Sequence, residues 1–164
     1  SDMLDGSDHA KRFVGGTALS CVLMPNMYHH YHAPVDGNVV EAKIVKGAFY
    51  GYDDFPKWAQ QKGNVCYYGT DFSQFEHYHR GYFIVDTGRY GYVAVIVVGL
   101  DTVSSIIFEE AFTDITEPVA IKRGDRLGHF LYGGSLIIMI FERDRFKSDA
   151  IRVRMGNQIG LFDS

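Results

Sequence analysis

Apolar residues along this chain gather in short runs of two kinds. Val93 to Val98 and Leu136 to Phe141 are apolar without a break, rich in β-branched residues and of strand length, so each reads as a strand buried on both faces. Asn38 to Val45 alternates instead, as a strand with one wet face does. Thr17 to Met24, Phe83 to Asp86, Tyr92 to Leu100, Val103 to Phe108, Ala120 to Lys122 and Leu127 to Leu131 predict further strands. Between them stand turn signals: Pro25-Asn26, Asp36-Gly37, Lys46-Gly47, Pro118 and Arg123-Gly124-Asp125. Thr87 to Gly91 closes a hairpin between the runs Phe83 to Asp86 and Tyr92 to Leu100. Only the stretch around Asp8 to Phe13 offers a short helix or turn, and no segment holds a helical period for more than a few turns. Phe49 to Lys62, aromatic and carrying Pro56 and Trp58, predicts an irregular loop over a site. The pattern predicts an all-β fold, an antiparallel sandwich or flattened barrel with little helix.

Composition narrows this picture. At 164 residues with 46% hydrophobic residues, 12 Phe and 11 Tyr, the chain is one domain, 1–164, with a sizeable core. A net charge of −4, with Lys and Arg scattered apart from Lys122-Arg123 and Arg143/Arg145/Lys147, gives no footprint for nucleic acid. Cys21 and Cys66 have no zinc spacing; so low a count suits a reducing cytosol and leaves a disulfide open. No apolar run approaches the roughly 20 residues of a membrane-spanning helix. Ser1-Asp2-Met3 before an internal start suggests a piece of a longer natural chain.

Two groups of residues carry candidate chemistry. In Gly133-Gly134-Ser135 two glycines free the backbone ahead of a buried strand and leave the Gly134 carbonyl open to close approach, with the Ser135 hydroxyl beside it. Taken alone, the tripeptide reads first as a β-bulge or tight bend whose serine satisfies a strand end. The second group is His29, His30, His32, His77 and His79. On an extended segment His30 and His32 share one face, as do His77 and His79, while His29 points the other way. Such pairs can bind a metal if a carboxylate such as Glu76 joins them; they are also ordinary amphipathic rim residues, and no metal is expected.

Together these motifs support a more specific reading. Tyr28-His29-His30-Tyr31-His32-Ala33-Pro34-Val35-Asp36-Gly37, followed by Lys122-Arg123-Gly124-Asp125-Arg126-Leu127-Gly128-His129-Phe130-Leu131-Tyr132-Gly133-Gly134-Ser135, resembles the phosphatidylserine decarboxylase family. That family's motifs run Tyr-His-x-x-His-x-Pro-x-x-Gly and Lys-Gly-Asp-x-x-Gly-x-Phe-x-x-Gly-Ser. Gly99 to Ile106 is similar to the segment the family carries between them, and the match runs from about Phe13 to Glu142. Gly-Gly-Ser resembles a divergent branch that includes soluble decarboxylases of free aromatic amino acids.

The resemblance implies a proenzyme that cuts itself between 134 and 135. The Ser135 hydroxyl attacks the Gly134 carbonyl, and the serine is converted to a pyruvoyl group, the cofactor, whose carbonyl captures the substrate amine. By the same resemblance His32 is the base for Ser135, and His29 handles protons during decarboxylation; His30 falls at a variable position. Pro34 before the Asp36-Gly37 turn would bend the chain so that both imidazoles reach Ser135. The expected activity is a lyase that converts phosphatidylserine to phosphatidylethanolamine. The alternatives are the same chemistry on a free amino acid and a non-catalytic or histidine-metal β-domain. The resemblance further implies turns like those of biotinyl and lipoyl hybrid-motif domains, a homodimer, and a cytoplasmic location, peripheral to a membrane. Two departures stand out: no Pro-Ala-Asp-Gly-like strand precedes Phe13 to supply the family's orienting aspartate, and position 27 is Met where the family often has Asp. The chain is therefore expected to lack the family's N-terminal part.

Overall fold

A computed structural model describes residues 2–23, 28–47, 73–99, 105–131, 135–147 and 158–162. In chain order its strands are β1 (Thr17–Leu23), β2 (His30–His32), β3 (Gly37–Val45), β4 (Arg80–Asp86), β5 (Tyr92–Gly99), β6 (Ile106–Phe108), β7 (Val119–Ile121), β8 (Arg126–Phe130), β9 (Ser135–Phe141), β10 (Phe146–Lys147) and β11 (Leu161–Phe162). The described helices are single short 3-10 turns, the first at Ala10–Phe13. The fold is all-β and antiparallel. One sheet has six strands in the order β1-β9-β5-β4-β3-β7, a second has three in the order β2-β8-β6, and β10 pairs with β11. Neither large sheet closes on itself, so of the two predicted forms the sandwich is the one observed.

The two faces of the six-stranded sheet explain its unbroken apolar runs. Phe83 and Val85 on β4, Val93, Val95 and Val97 on β5, and Met139 and Phe141 on β9 pack inward against Tyr31, Ile106, Phe108, Leu127 and Phe130 of the smaller sheet. The alternate residues Tyr82, Ile84, Ala94, Ile96, Val98, Leu136 and Ile138 fill the opposite face, which Met3, Leu4, Phe13, Phe75 and Tyr78 cover. Strands buried on both faces need no polar alternation.

Strand β4 starts at Arg80, earlier than the apolar run suggests, because Arg80 is buried by a route that hydropathy does not register. Its guanidinium donates to the carbonyls of Asp2 (2.9 Å), Met3 (2.8 Å), Glu76 (2.5 Å) and Tyr78 (3.3 Å). Those bonds offset its desolvation and fasten residues 2 and 3 to the sheet.

Within the smaller sheet, Gly128 is the partner of Tyr31 on one side and of Phe108 on the other. The Tyr31 side chain lies across this glycine, and its hydroxyl donates to the Ile107 carbonyl at 2.6 Å. A Cβ at Gly128 would stand 2.1 Å from that carbonyl oxygen and 2.4 Å from the phenol oxygen. The missing side chain is what lets one residue of β2 tie itself to β6 across β8.

Candidate active site

Ser135 opens β9 between Leu23 of β1 and Gly99 of β5, and it is completely buried. Its parity is that of Met139 and Phe141, so its side chain faces the gap between the two sheets. From the other side of the gap comes the segment at β2. His29 shares parity with buried Tyr31, and its carbonyl accepts from the Phe130 amide at 2.9 Å, which fixes the backbone there. The result is a contact between residues 106 positions apart: His29 Nδ1 lies 3.2 Å from Ser135 Oγ. A serine hydroxyl against an imidazole nitrogen in a buried site can lose its proton to that ring, which turns a weak nucleophile into a useful one.

His32 takes a different position. Strand β2 stays extended through His30–His32, and the register shift between Tyr31 and His32 is absorbed by Leu127 as an extra residue on β8. The odd spacing of His29 and His32 therefore persists, and His32 lies on the outer face. Its Nδ1 is 2.8 Å from the Gly124 carbonyl and its Nε2 is 2.8 Å from the Tyr28 hydroxyl. A carbonyl only accepts, so Nδ1 carries the proton and, in the neutral ring, Nε2 accepts from the phenol. Gly124, whose positive φ of 94° suits a residue without a Cβ, aims that carbonyl. The bend expected to bring both imidazoles to Ser135 is absent from β2: the structure brings His29 to the serine and turns His32 away.

His30 and His129 are cross-strand partners on this same outer face, their rings stacked at 5.3 Å. The Tyr28 ring stacks on His30 at 4.8 Å and on His32 at 5.7 Å. The Nδ1 atoms of His30 and His129 are buried without a hydrogen-bond partner. Burial, chiefly, and then the nearby Arg126 hold the His30 pKa below its ordinary value. This cluster was legible only in part, because the strand parity of His30 and His32 gives no hint of His129 or Tyr28. His77 sits in a 3-10 turn with Nε2 3.6 Å from Glu76, while His79 is half-buried next to β4. Among the described residues no three His, Cys, Asp or Glu side chains converge as metal ligands. Gly133, Gly134, Cys66 and the predicted loop over 49–62 lie outside the described residues.

The geometry defines a class first: an all-β sandwich that holds a buried serine beside an imidazole at the head of an inner strand. The phosphatidylserine decarboxylase family profile matches residues 1–161 of the chain. Curated relatives agree. The chain is 28% identical over 148 residues to the phosphatidylserine decarboxylase proenzyme of Fusobacterium nucleatum, covering 90% of this chain and 44% of that protein. It is 29% identical over 170 residues to the Clostridium novyi phosphatidylserine decarboxylase proenzyme, covering 97% of this chain and 52% of the other. With phosphatidylserine decarboxylase proenzyme 3 of Schizosaccharomyces pombe the identity is 28% over 169 residues, or 96% of this chain and 16% of that protein. The chain belongs to the phosphatidylserine decarboxylase family, and it spans about half the length of the bacterial relatives it matches, or less.

Proposed function

We propose that the chain is the catalytic β-domain of a pyruvoyl-dependent phosphatidylserine decarboxylase, a carboxy-lyase that first cuts itself between Gly134 and Ser135. The single observation that carries this reading is the buried Ser135 hydroxyl 3.2 Å from an imidazole nitrogen. His29 accepts the hydroxyl proton as Oγ bonds to the Gly134 carbonyl carbon. The carbon–nitrogen bond breaks as the amine takes up a proton, which leaves an ester. Loss of the Ser135 α-proton with departure of the ester oxygen frees residues 1–134 as a carboxylate and leaves a dehydroalanine at position 135. Water then converts this to a pyruvoyl group and releases ammonia.

The residues present fit that group. Position 135 is buried, its cross-strand neighbour Gly99 places no side chain against it, and an imidazole stands beside it. The pyruvoyl carbonyl would supply the electron sink for decarboxylation of an amino acid headgroup. His29 orients the site and holds a proton at Nδ1. Phosphatidylserine is the substrate class named for the relatives, and its use here would place the chain at a membrane surface on the cytoplasmic side, as a homodimer. No helix among the described residues is long and apolar enough to cross a membrane.

Intact mass after denaturation tests the maturation step, with the expected split into chains of 134 and 30 residues (164 − 134). Carbon dioxide release from phosphatidylserine vesicles and from free aromatic amino acids tests the substrate. A chain that stays whole and releases no carbon dioxide from either would overturn the reading.

A further inference from the structure

One row of the six-stranded sheet runs through Ser135. Leu23 of β1 and Gly99 of β5 are its cross-strand partners. The Gly99 amide donates to the His79 carbonyl at 3.0 Å, which carries the row onto the residue before β4. Val45 of β3 pairs with Arg80, so the next step of that antiparallel register sets Lys46 beside His79. In order across the sheet the row reads Lys46, His79, Gly99, Ser135, Leu23. Its parity is that of the inner face. Arg80 and Tyr82 turn outward, to the Met3 carbonyl and to Glu41. A Cβ at Gly81, by contrast, would meet the Phe108 ring at 2.7 Å and Ile106 at 3.3 Å, both on the smaller sheet. Alternation therefore turns His79 and Lys46 to the side on which Ser135 meets His29.

Two strand spacings, about 10 Å, separate His79 from Ser135, and Gly99 between them places no side chain in the interval. Ser135 is buried, His79 half-buried and Lys46 exposed, so the row leads from the serine out to solvent. Burial, and after it the charge of Lys46, hold the His79 pKa below its ordinary value, so that charge is felt at the ring. None of the row's residues is acidic.

We propose that the strip over Gly99 is a headgroup subsite, in which His79 and Lys46 bind the phosphodiester of a substrate whose amine is held at position 135. An amine at that position keeps the carboxylate of a serine headgroup close to it, over Gly99. The phosphodiester lies farther along the same molecule, toward His79. An imidazole offers it an N–H and a lysine offers a point charge, which together suit a singly charged phosphodiester. A free amino acid would leave both groups unused, so the subsite selects a phospholipid headgroup over a free amino acid. The inference deepens the proposed use of phosphatidylserine and rests on that reading for the position of the amine, but the binding itself requires neither cleavage nor turnover.

Titration of the Ser135→Ala chain with glycerophosphoserine and with L-serine, followed by nuclear magnetic resonance, tests the proposal. The variant keeps the chain uncleaved and the ligand unconsumed. Glycerophosphoserine should bind about tenfold more tightly than L-serine, the worth of a hydrogen bond to a charged group. Adding Lys46→Met or His79→Ala should each remove most of that difference and leave L-serine binding unchanged. His79→Gln, which keeps an N–H, should retain it. Lys43→Met should also retain it, because Lys43 lies on the same strand but is paired with Asp5 on the opposite face. Absence of glycerophosphoserine binding, equal binding of L-serine, or a loss with Lys43→Met as large as with Lys46→Met would each overturn the proposal. Binding that depends on Lys46 and His79, in a parent chain that releases no carbon dioxide, would leave it standing and count against the decarboxylase reading instead.

Discussion

His29 and Ser135 meet across the gap between two sheets, Nδ1 to Oγ at 3.2 Å, although 106 residues separate them. The meeting follows from parity on two strands: Ser135 is in phase with Met139 and Phe141, and His29 with Tyr31, so both look into the same apolar space. His32, out of phase by an odd number of residues, is bonded to Gly124 and Tyr28 instead.

On the proposed reading His29 takes the proton of Ser135. His29→Ala should slow self-cleavage by about two to four orders of magnitude, the usual worth of a positioned base. His32→Ala should slow it far less. Time courses of chain splitting, followed by denaturing electrophoresis, separate the two. A His32→Ala chain that does not split beside a His29→Ala chain that does would return the role to His32, the residue to which the family resemblance points.

Gly128 is the second fixed point of the site. A methyl group there would collide with the Ile107 carbonyl and with the Tyr31 phenol that passes over it. Gly128→Ala should therefore destabilise the fold by about 1–3 kcal/mol, as overpacking does, and slow cleavage by moving β2. Tyr31→Phe removes only the bond to Ile107 and should cost about 1 kcal/mol. Urea titrations of both variants give the comparison, and an Ala variant as stable as the parent would refute the steric account.

Most of this fold is legible in the residues because its strands are either unbroken apolar runs or clean alternations. Val93 to Val98 and Leu136 to Phe141 are recognisable as inner strands for that reason, and the hairpin between β4 and β5 closes where the Gly88 and Gly91 signals stand. Two things were not legible. Arg80 is buried through carbonyl contacts with residues 2, 3, 76 and 78, and no local pattern encodes the first two, 78 and 77 positions away. The placement of the two histidines depends on where the register slips: the extra residue falls on β8 at Leu127 and leaves β2 straight. Parity alone would have separated His29 from His32.

If the chain is cut between 134 and 135 as proposed, β9 would begin the short C-terminal chain, yet it lies between β1 and β5 with seven register pairs to each. Leu136, Ile138 and Phe141 are almost completely buried. The two chains should thus remain together on dilution and separate only when the fold is lost. Size-exclusion chromatography of cleaved protein before and after denaturant measures this. Release of the small chain on dilution alone would contradict the inner position of β9.

Acid should weaken the fold in a window set by His30. Its ordinary value is 6.5, and burial beside Arg126, His129 and His32 lowers it in the folded chain. The unfolded chain therefore binds a proton at a pH where the folded one resists it, so stability rises with pH across this range. The penalty is absent well above 6.5, grows as pH falls through 6.5, and levels off below the depressed folded value. His79, also lowered by burial and by Lys46, acts in the same direction. Asp5, held down by its hydrogen bond to Lys43, also loses stability on acidification but near and below its ordinary 3.8, a separate window. Melting temperatures from about pH 7.5 to pH 5.0 should accordingly fall for the parent chain. His30→Phe, which keeps an aromatic ring for Tyr28 and His129 to stack on and removes a buried Nδ1 without a partner, should fall by clearly less over the same range. If both chains lose stability equally, the acid sensitivity lies elsewhere than in the imidazole cluster of the outer face.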